Sequence, residues 1–128
     1  MRILFDTHAL LWFLTDSPKL SHTVRRQILE QRNEFFFSSV SILEIAIKHS
    51  LKPNAMPCHP EEVRQDALAS AITELPFAAN HASRVGELPW IHKDPFDRML
   101  VAQAMEEGMR LLTHDENVAR YGECVIQF

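Results

Sequence analysis

Asp94-Pro95-Phe96-Asp97-Arg98-Met99-Leu100-Val101-Ala102-Gln103-Ala104 reads as the start of a helix, and Arg110-Leu111-Leu112 as the strand that follows it. Asp94 suits the N-cap, where its side chain can accept from the free backbone N–H groups of the first turn. Pro95 suits the first helical position, where its missing N–H costs nothing, and Gly108 falls just past the end. Beyond the strand, Thr113-His114-Asp115-Glu116 turns into another short helix. A capped helix followed at once by an apolar strand is half of an α/β unit.

The same alternation runs through the rest of the chain. Arg2-Ile3-Leu4-Phe5 is short, apolar and ends at Asp6, as a buried strand entering a loop does. Residues 9–14 predict a short helix. Residues 21–32 carry Val24, Ile28 and Leu29 at helical spacing. Phe35-Phe36-Phe37 is a second buried strand, and Ser38-Ser39-Val40-Ser41 starts a helix with Ile42, Ile45 and Ala46 as its apolar stripe. Residues 52–60 hold Pro53, Pro57 and Pro60 and form a loop. Residues 61–70 form a helix, 72–75 a strand and 78–85 a helix. Residues 86–95 form a loop, and 124–126 a last strand. Alternating strands and helices predict right-handed crossovers, and so a mostly parallel sheet with helices on both faces.

The chain of 128 residues has the size of a single domain spanning residues 1–128. Its 46% hydrophobic and 23% charged residues are ordinary for a globular protein. No apolar run approaches the roughly 20 residues of a membrane span. A carboxylate at position 6 interrupts any leader-like apolar core, so the expected compartment is the cytoplasm and no membrane partner is expected. Cys58 and Cys124 are expected to be free thiols, and Cys58-His59 lacks the second short-spaced pair that zinc requires. The net charge of −4 excludes binding of nucleic acid by bulk positive charge, but not by a local basic patch together with a metal. The three glycines, Gly86, Gly108 and Gly122, form no phosphate-binding loop.

In such sheets ligands bind beyond the carboxyl ends of the strands. Asp6 and Asp115 closely follow strands, and Glu44 lies early in the helix after the second strand. Asp97 joins them if its helix starts at that end. Carboxylates brought together repel one another unless a cation lies between them, and a hard divalent cation prefers oxygen ligands. Each acid also has a plainer reading. Asp6 and Asp115 can be helix N-caps, although Thr7 is an alternative cap that would leave Asp6 free. Ser41-Ile42-Leu43-Glu44 fits a capping box, whereas a cap at Ser38 or Ser39 would leave Glu44 deeper in the helix and free, with Lys48 in reach four residues on. Asp97 can serve the helix dipole behind Asp94, but an acid on a face continued by Val101 and Ala104 wants a partner. His8, His92 and His114 are read as surface or helix-start residues rather than catalytic bases.

The stretches 3–12, 38–48, 94–104 and 111–115 resemble, in order, those of PIN-domain proteins, and specifically the VapC-like toxin group. The Asp-Pro-Phe-Asp-Arg-Met-Leu-Val-Ala-Gln-Ala segment is the most specific of them. The resemblance implies a three-layer α/β/α sandwich, bound Mg²⁺ or Mn²⁺, and cleavage of single-stranded RNA. It makes Asp6, Glu44, Asp97 and Asp115 the acidic quartet, with Thr113 supporting the site and Asp94 as a neighbour. It also implies the toxin role of a toxin–antitoxin pair, a homodimer and a cognate antitoxin that blocks the site. Lys48, Lys52, Lys93 and Arg98 are candidate RNA-backbone contacts because they lie near these acids in sequence. The alternative is a catalytically weak PIN-fold module that binds RNA or protein. A phosphatase of the haloacid-dehalogenase kind would need a second Asp two residues after Asp6, where this chain has His8.

Overall fold

The computed structural model describes residues 1–30 and 32–128. Its elements run β1 (Arg2–Phe5), α1 (Thr7–Leu14), α2 (His22–Glu30), β2 (Glu34–Ser38), α3 (Ser39–Leu51), α4 (Pro60–Ala69), β3 (Thr73–Leu75), α5 (Ala79–Val85), α6 (Pro95–Glu107), β4 (Arg110–Thr113), α7 (Glu116–Ala119) and β5 (Val125–Gln127). The strands form one sheet in the order β3-β2-β1-β4-β5, and every pairing is parallel. The expected architecture is therefore the observed one. Small boundary differences have local causes. The loop expected through Pro60 ends at His59, because Pro60 takes the first helical position, where a missing N–H leaves nothing unpaired.

Period-two alternation divides the core into two layers. Ile3, Phe5, Phe37 and Leu112 point to one face, where they meet Ala9, Leu10 and Leu11 of α1, Ile28 of α2, Ile45 of α3 and Val63 and Ala67 of α4. Leu4 and Leu111 point to the other, against Leu100, Val101 and Ala104 of α6 and Val118 of α7. Both central strands are covered on both sides, which is why β1 and β4 read as unbroken apolar runs.

The strand order reverses direction between β1 and β4. On one side the chain winds outward through β2 and β3, and on the other through β5. The crevice at this switch opens at the carboxyl ends of β1 and β4. Because α6 feeds the parallel strand β4, it runs antiparallel to the sheet, so its first turn lies at that same edge. This geometry settles where Asp97 stands.

Gly108 ends α6 in the left-handed region at φ +64°. A Cβ added there would meet only the Arg2 side chain at 3.8 Å, so the cost of a side chain is conformational rather than steric. Gly108→Ala should destabilise the fold by about 1 kcal/mol in urea unfolding, and Gly108→Asn by less. Equal losses for the two variants would contradict this origin.

Candidate active site

Asp6 is only 6% exposed at the end of β1. Its Oδ1 accepts from the backbone N–H of Ala9 at 2.7 Å, so it caps α1 itself. Thr7 therefore does not take over the capping as the alternative reading had it. The Thr7 hydroxyl turns instead toward α3, within 2.7 Å of Glu44 Oε1 and 2.9 Å of Ser41 Oγ. The second oxygen of Asp6 accepts from the Thr113 hydroxyl, which ties the end of β1 to the end of β4 across the switch. Burial holds the Asp6 carboxyl above its ordinary range, against the lowering effect of the Thr113 and Ala9 hydrogen bonds.

Glu44 owes its freedom to Ser38. The Ser38 hydroxyl accepts from Val40 N–H at 2.9 Å and caps α3, so the capping box at Ser41 does not form. Glu44 then lies a turn deeper in the helix, 4% exposed, with Oε1 held by Thr7 and Oε2 paired with Lys48. That bond to Glu44 raises the Lys48 ammonium above its usual range, with smaller contributions from the charges of Asp94 and Asp97.

Asp94 caps α6 through Oδ1, which accepts from Phe96 N–H at 2.8 Å and Asp97 N–H at 3.2 Å. Asp97, thus relieved of capping, faces the crevice. Its carboxyl is pushed up to about 7, first by burial and then by the negative charges of Asp94 and Asp6, with Glu44 adding to the effect and His92 opposing it. Asp115 caps α7 with Oδ1, 2.7 Å from Asn117 N–H, and turns Oδ2 inward. In both Asp6 and Asp115 one oxygen caps a helix, which leaves the other turned toward Thr113 or His92.

His92 is the member that sequence reading passed over. Its Nε2 lies 2.9 Å from Asp97 Oδ2 and 3.4 Å from Asp115 Oδ2, yet makes no well-directed hydrogen bond to either. The Tyr121 hydroxyl, accepting from His92 N–H at 3.1 Å, holds that part of the loop in place. One ligand atom each from His92, Asp97 and Asp115 lie within 4.8 Å of one another. Carboxylate oxygens with a single imidazole, a ring nitrogen left without a directed partner, and a carboxyl forced upward by burial and like charge together fit a hard divalent cation.

Of the expected basic contacts, Lys48 borders the site and Lys52 and Lys93 are exposed. Arg98 is a correction. It is 3% exposed, and its guanidinium donates to the carbonyls of Pro89 (2.9 Å), Val85 (3.1 Å) and Leu88 (3.4 Å) and to the Tyr121 hydroxyl (3.0 Å). Its charge clamps the loop of residues 86–94 onto α6 and does not face a ligand. Sequence proximity to Asp97 could not distinguish these uses, because successive residues on a helix point about 100° apart.

Residues 3–123 match the family model of the PIN domain. The chain belongs to the PIN-domain family. Among PIN-domain relatives, it is 25% identical over 127 residues to Ribonuclease VapC22 of Mycobacterium tuberculosis (strain ATCC 25618 / H37Rv), covering 91% of this chain and 88% of that protein. The fold is also that of VapBC2 from Rickettsia felis, solved bound to a DNA fragment from its promoter. That match has TM-score 0.70 at 18% identity and covers 100% of this chain and 98% of the other. A toxin–antitoxin complex from Klebsiella pneumoniae gives TM-score 0.63 at 16% identity, over 98% and 96% of the two chains. The PIN fold places Asp6, Glu44, Asp97 and Asp115 at a single edge of the sheet, where the sequence had put three of them by ordinary connections.

Proposed function

We propose that this PIN-domain protein is a metal-dependent endoribonuclease that hydrolyses single-stranded RNA, and that it acts in the cytoplasm as the toxin of a toxin–antitoxin pair. The observation that carries this reading is the convergence of Asp6, Asp97, Asp115 and His92 on one crevice, with the Asp97 carboxyl raised to about 7 by burial and by its acidic neighbours. Similarity to a named ribonuclease supplies the substrate class.

Asp6, Asp97 and Asp115 would hold Mg²⁺ or Mn²⁺, with His92 beside them and Glu44 acting through water. When bound, the cation supplies charge stabilisation at the phosphoryl oxygens and a water of lowered pKa. The chain's own contribution is order. Thr113 and Ala9 fix both oxygens of Asp6, and Thr7 and Lys48 fix both oxygens of Glu44, so neither acid must reorganise during the reaction. Each Glu44 oxygen retains a lone pair with which to take a proton from a water. Lys48, Lys52 and Lys93 remain the candidate backbone contacts, and Arg98 is withdrawn from that role.

A cognate antitoxin and a homodimer belong to the same reading. Leu43, Ile47 and Leu51 recur every four residues along α3 and are 47%, 39% and 74% exposed, an apolar stripe that suits a protein partner.

The test is cleavage of a mixed single-stranded RNA pool with Mg²⁺ or Mn²⁺, with EDTA, and by Asp6→Asn. Cleavage should need the metal and fall about a thousandfold in the variant. A folded, metal-binding preparation, free of antitoxin, that cleaves nothing would favour the RNA- or protein-binding module instead.

A further inference from the structure

Trp90 is the one aromatic residue among the exposed large apolar side chains of the described residues, at 82% exposed. It is not loose. The Arg98 guanidinium lies against its ring, 3.9 Å from the centroid, and that guanidinium is itself immobilised by hydrogen bonds to Pro89, Val85, Leu88 and Tyr121. The indole is thus backed on one side by a buried, fixed cation, while its other face is left to solvent. Trp90 shares its loop with His92, whose ring reaches Asp97, and the arginine behind it directly follows Asp97 in α6. The Tyr121 hydroxyl joins both halves, accepting from Arg98 and from His92 N–H. The ring, the His92 backbone and the first turns of α6 are therefore tied together beside the acids.

We propose that Trp90 is a stacking platform for one nucleobase of the RNA, close to the bond that is cut, and that it positions substrate without taking part in the chemistry. This inference rests on the ribonuclease reading above. Unstacked bases of single-stranded RNA seek flat aromatic surfaces, and a ring whose orientation is already fixed loses little entropy when a base settles on it. A base on the open face would complete a guanidinium–indole–base stack. Lys93, exposed three residues on in the same loop, suits the adjoining phosphate.

The experiment uses an RNA oligonucleotide cut by the wild type, compared across wild type, Trp90→Phe and Trp90→Ala. Trp90→Ala should raise KM about tenfold and leave kcat within about twofold, within the range that one base–aromatic stack contributes. Trp90→Phe should recover most of the loss. Substrates carrying a single abasic nucleotide at successive positions should include one whose KM is the same for all three proteins. In the Trp12→Phe background, where Trp90 is the remaining indole, the uncut oligonucleotide in EDTA should quench the fluorescence and its matched abasic form should not. Failure of the wild type to cut any RNA would overturn the ribonuclease reading. A cutting wild type with an unchanged Trp90→Ala would overturn the platform alone. So would a Trp90→Ala variant that cuts normally but escapes inhibition by a protein partner, which would assign the ring to that interface.

Discussion

Asp97→Asn is expected to abolish RNA cleavage and yet to give a metal-free protein that resists urea better than the wild type at about pH 8. The native Asp97 carboxyl is raised to about 7 from an ordinary value of 3.8. Between those values the folded state binds more protons than the unfolded chain, so stability falls as pH rises through this window and stays low above it. Asparagine never ionises and escapes the loss. A full shift of this size corresponds to about 4 kcal/mol. Because neighbouring acids relax around the charge, a gain of about 2 kcal/mol is expected at pH 8, shrinking to nothing near pH 4. Adding Mg²⁺ or Mn²⁺ at a hundred times its dissociation constant should stabilise the wild type by about 2.7 kcal/mol and the variant by much less. Urea unfolding across pH 4–8, with and without metal, measures both effects. Parallel stability curves for the two proteins would remove Asp97 from the metal centre.

The second large effect lies where no chemistry is done. Arg98→Ala should lower stability by about 3–5 kcal/mol, because three carbonyls and the Tyr121 hydroxyl lose a donor they cannot replace inside the fold. That corresponds to a fall in Tm of about 10–15 °C for a chain of this size. Arg98→Lys keeps the charge but not the planar fork that reaches several acceptors at once, so it should recover little. With the loop of residues 86–94 released, His92 loses its place and metal affinity should fall as well. An arginine that merely touched RNA would behave otherwise: its lysine variant would keep both the contact and the stability. Thermal unfolding of the two variants separates these cases.

The alternation of strand and helix was legible because each signal is local. Asp94, Pro95 and Gly108 mark the ends of α6 by backbone chemistry alone, and the apolar runs of β1 and β4 follow from burial on both faces. The common edge of Asp6, Glu44 and Asp115 was legible for a related reason, since each falls at a strand end or a helix start, while Asp97 depended on where α6 begins. Glu44 shows the limit. The same four letters fit a capping box and a free acid, and only the choice of Ser38 as cap decides between them. Arg98 and His92 were beyond such reading. Their places depend on how an aperiodic loop folds back over α6 and offers its carbonyls, and no period or spacing encodes that path. Thr7 was likewise misjudged, because its partner Glu44 lies 37 residues away.

The hydrogen bond from Thr113 to Asp6 joins residues 107 positions apart, and β1 finds its neighbour β4 only across that same distance. At bacterial or eukaryotic speeds of synthesis, about 5–20 s pass between the appearance of one and of the other. Glu44 joins Asp6 early in that interval, but Asp97 is made only near its end and Asp115 just after it. On the ribonuclease reading proposed above, a nascent chain would therefore be inactive by its topology until α6 and β4 had been made. On that reading the activity would arrive late and all at once, and an antitoxin would need to be present only then.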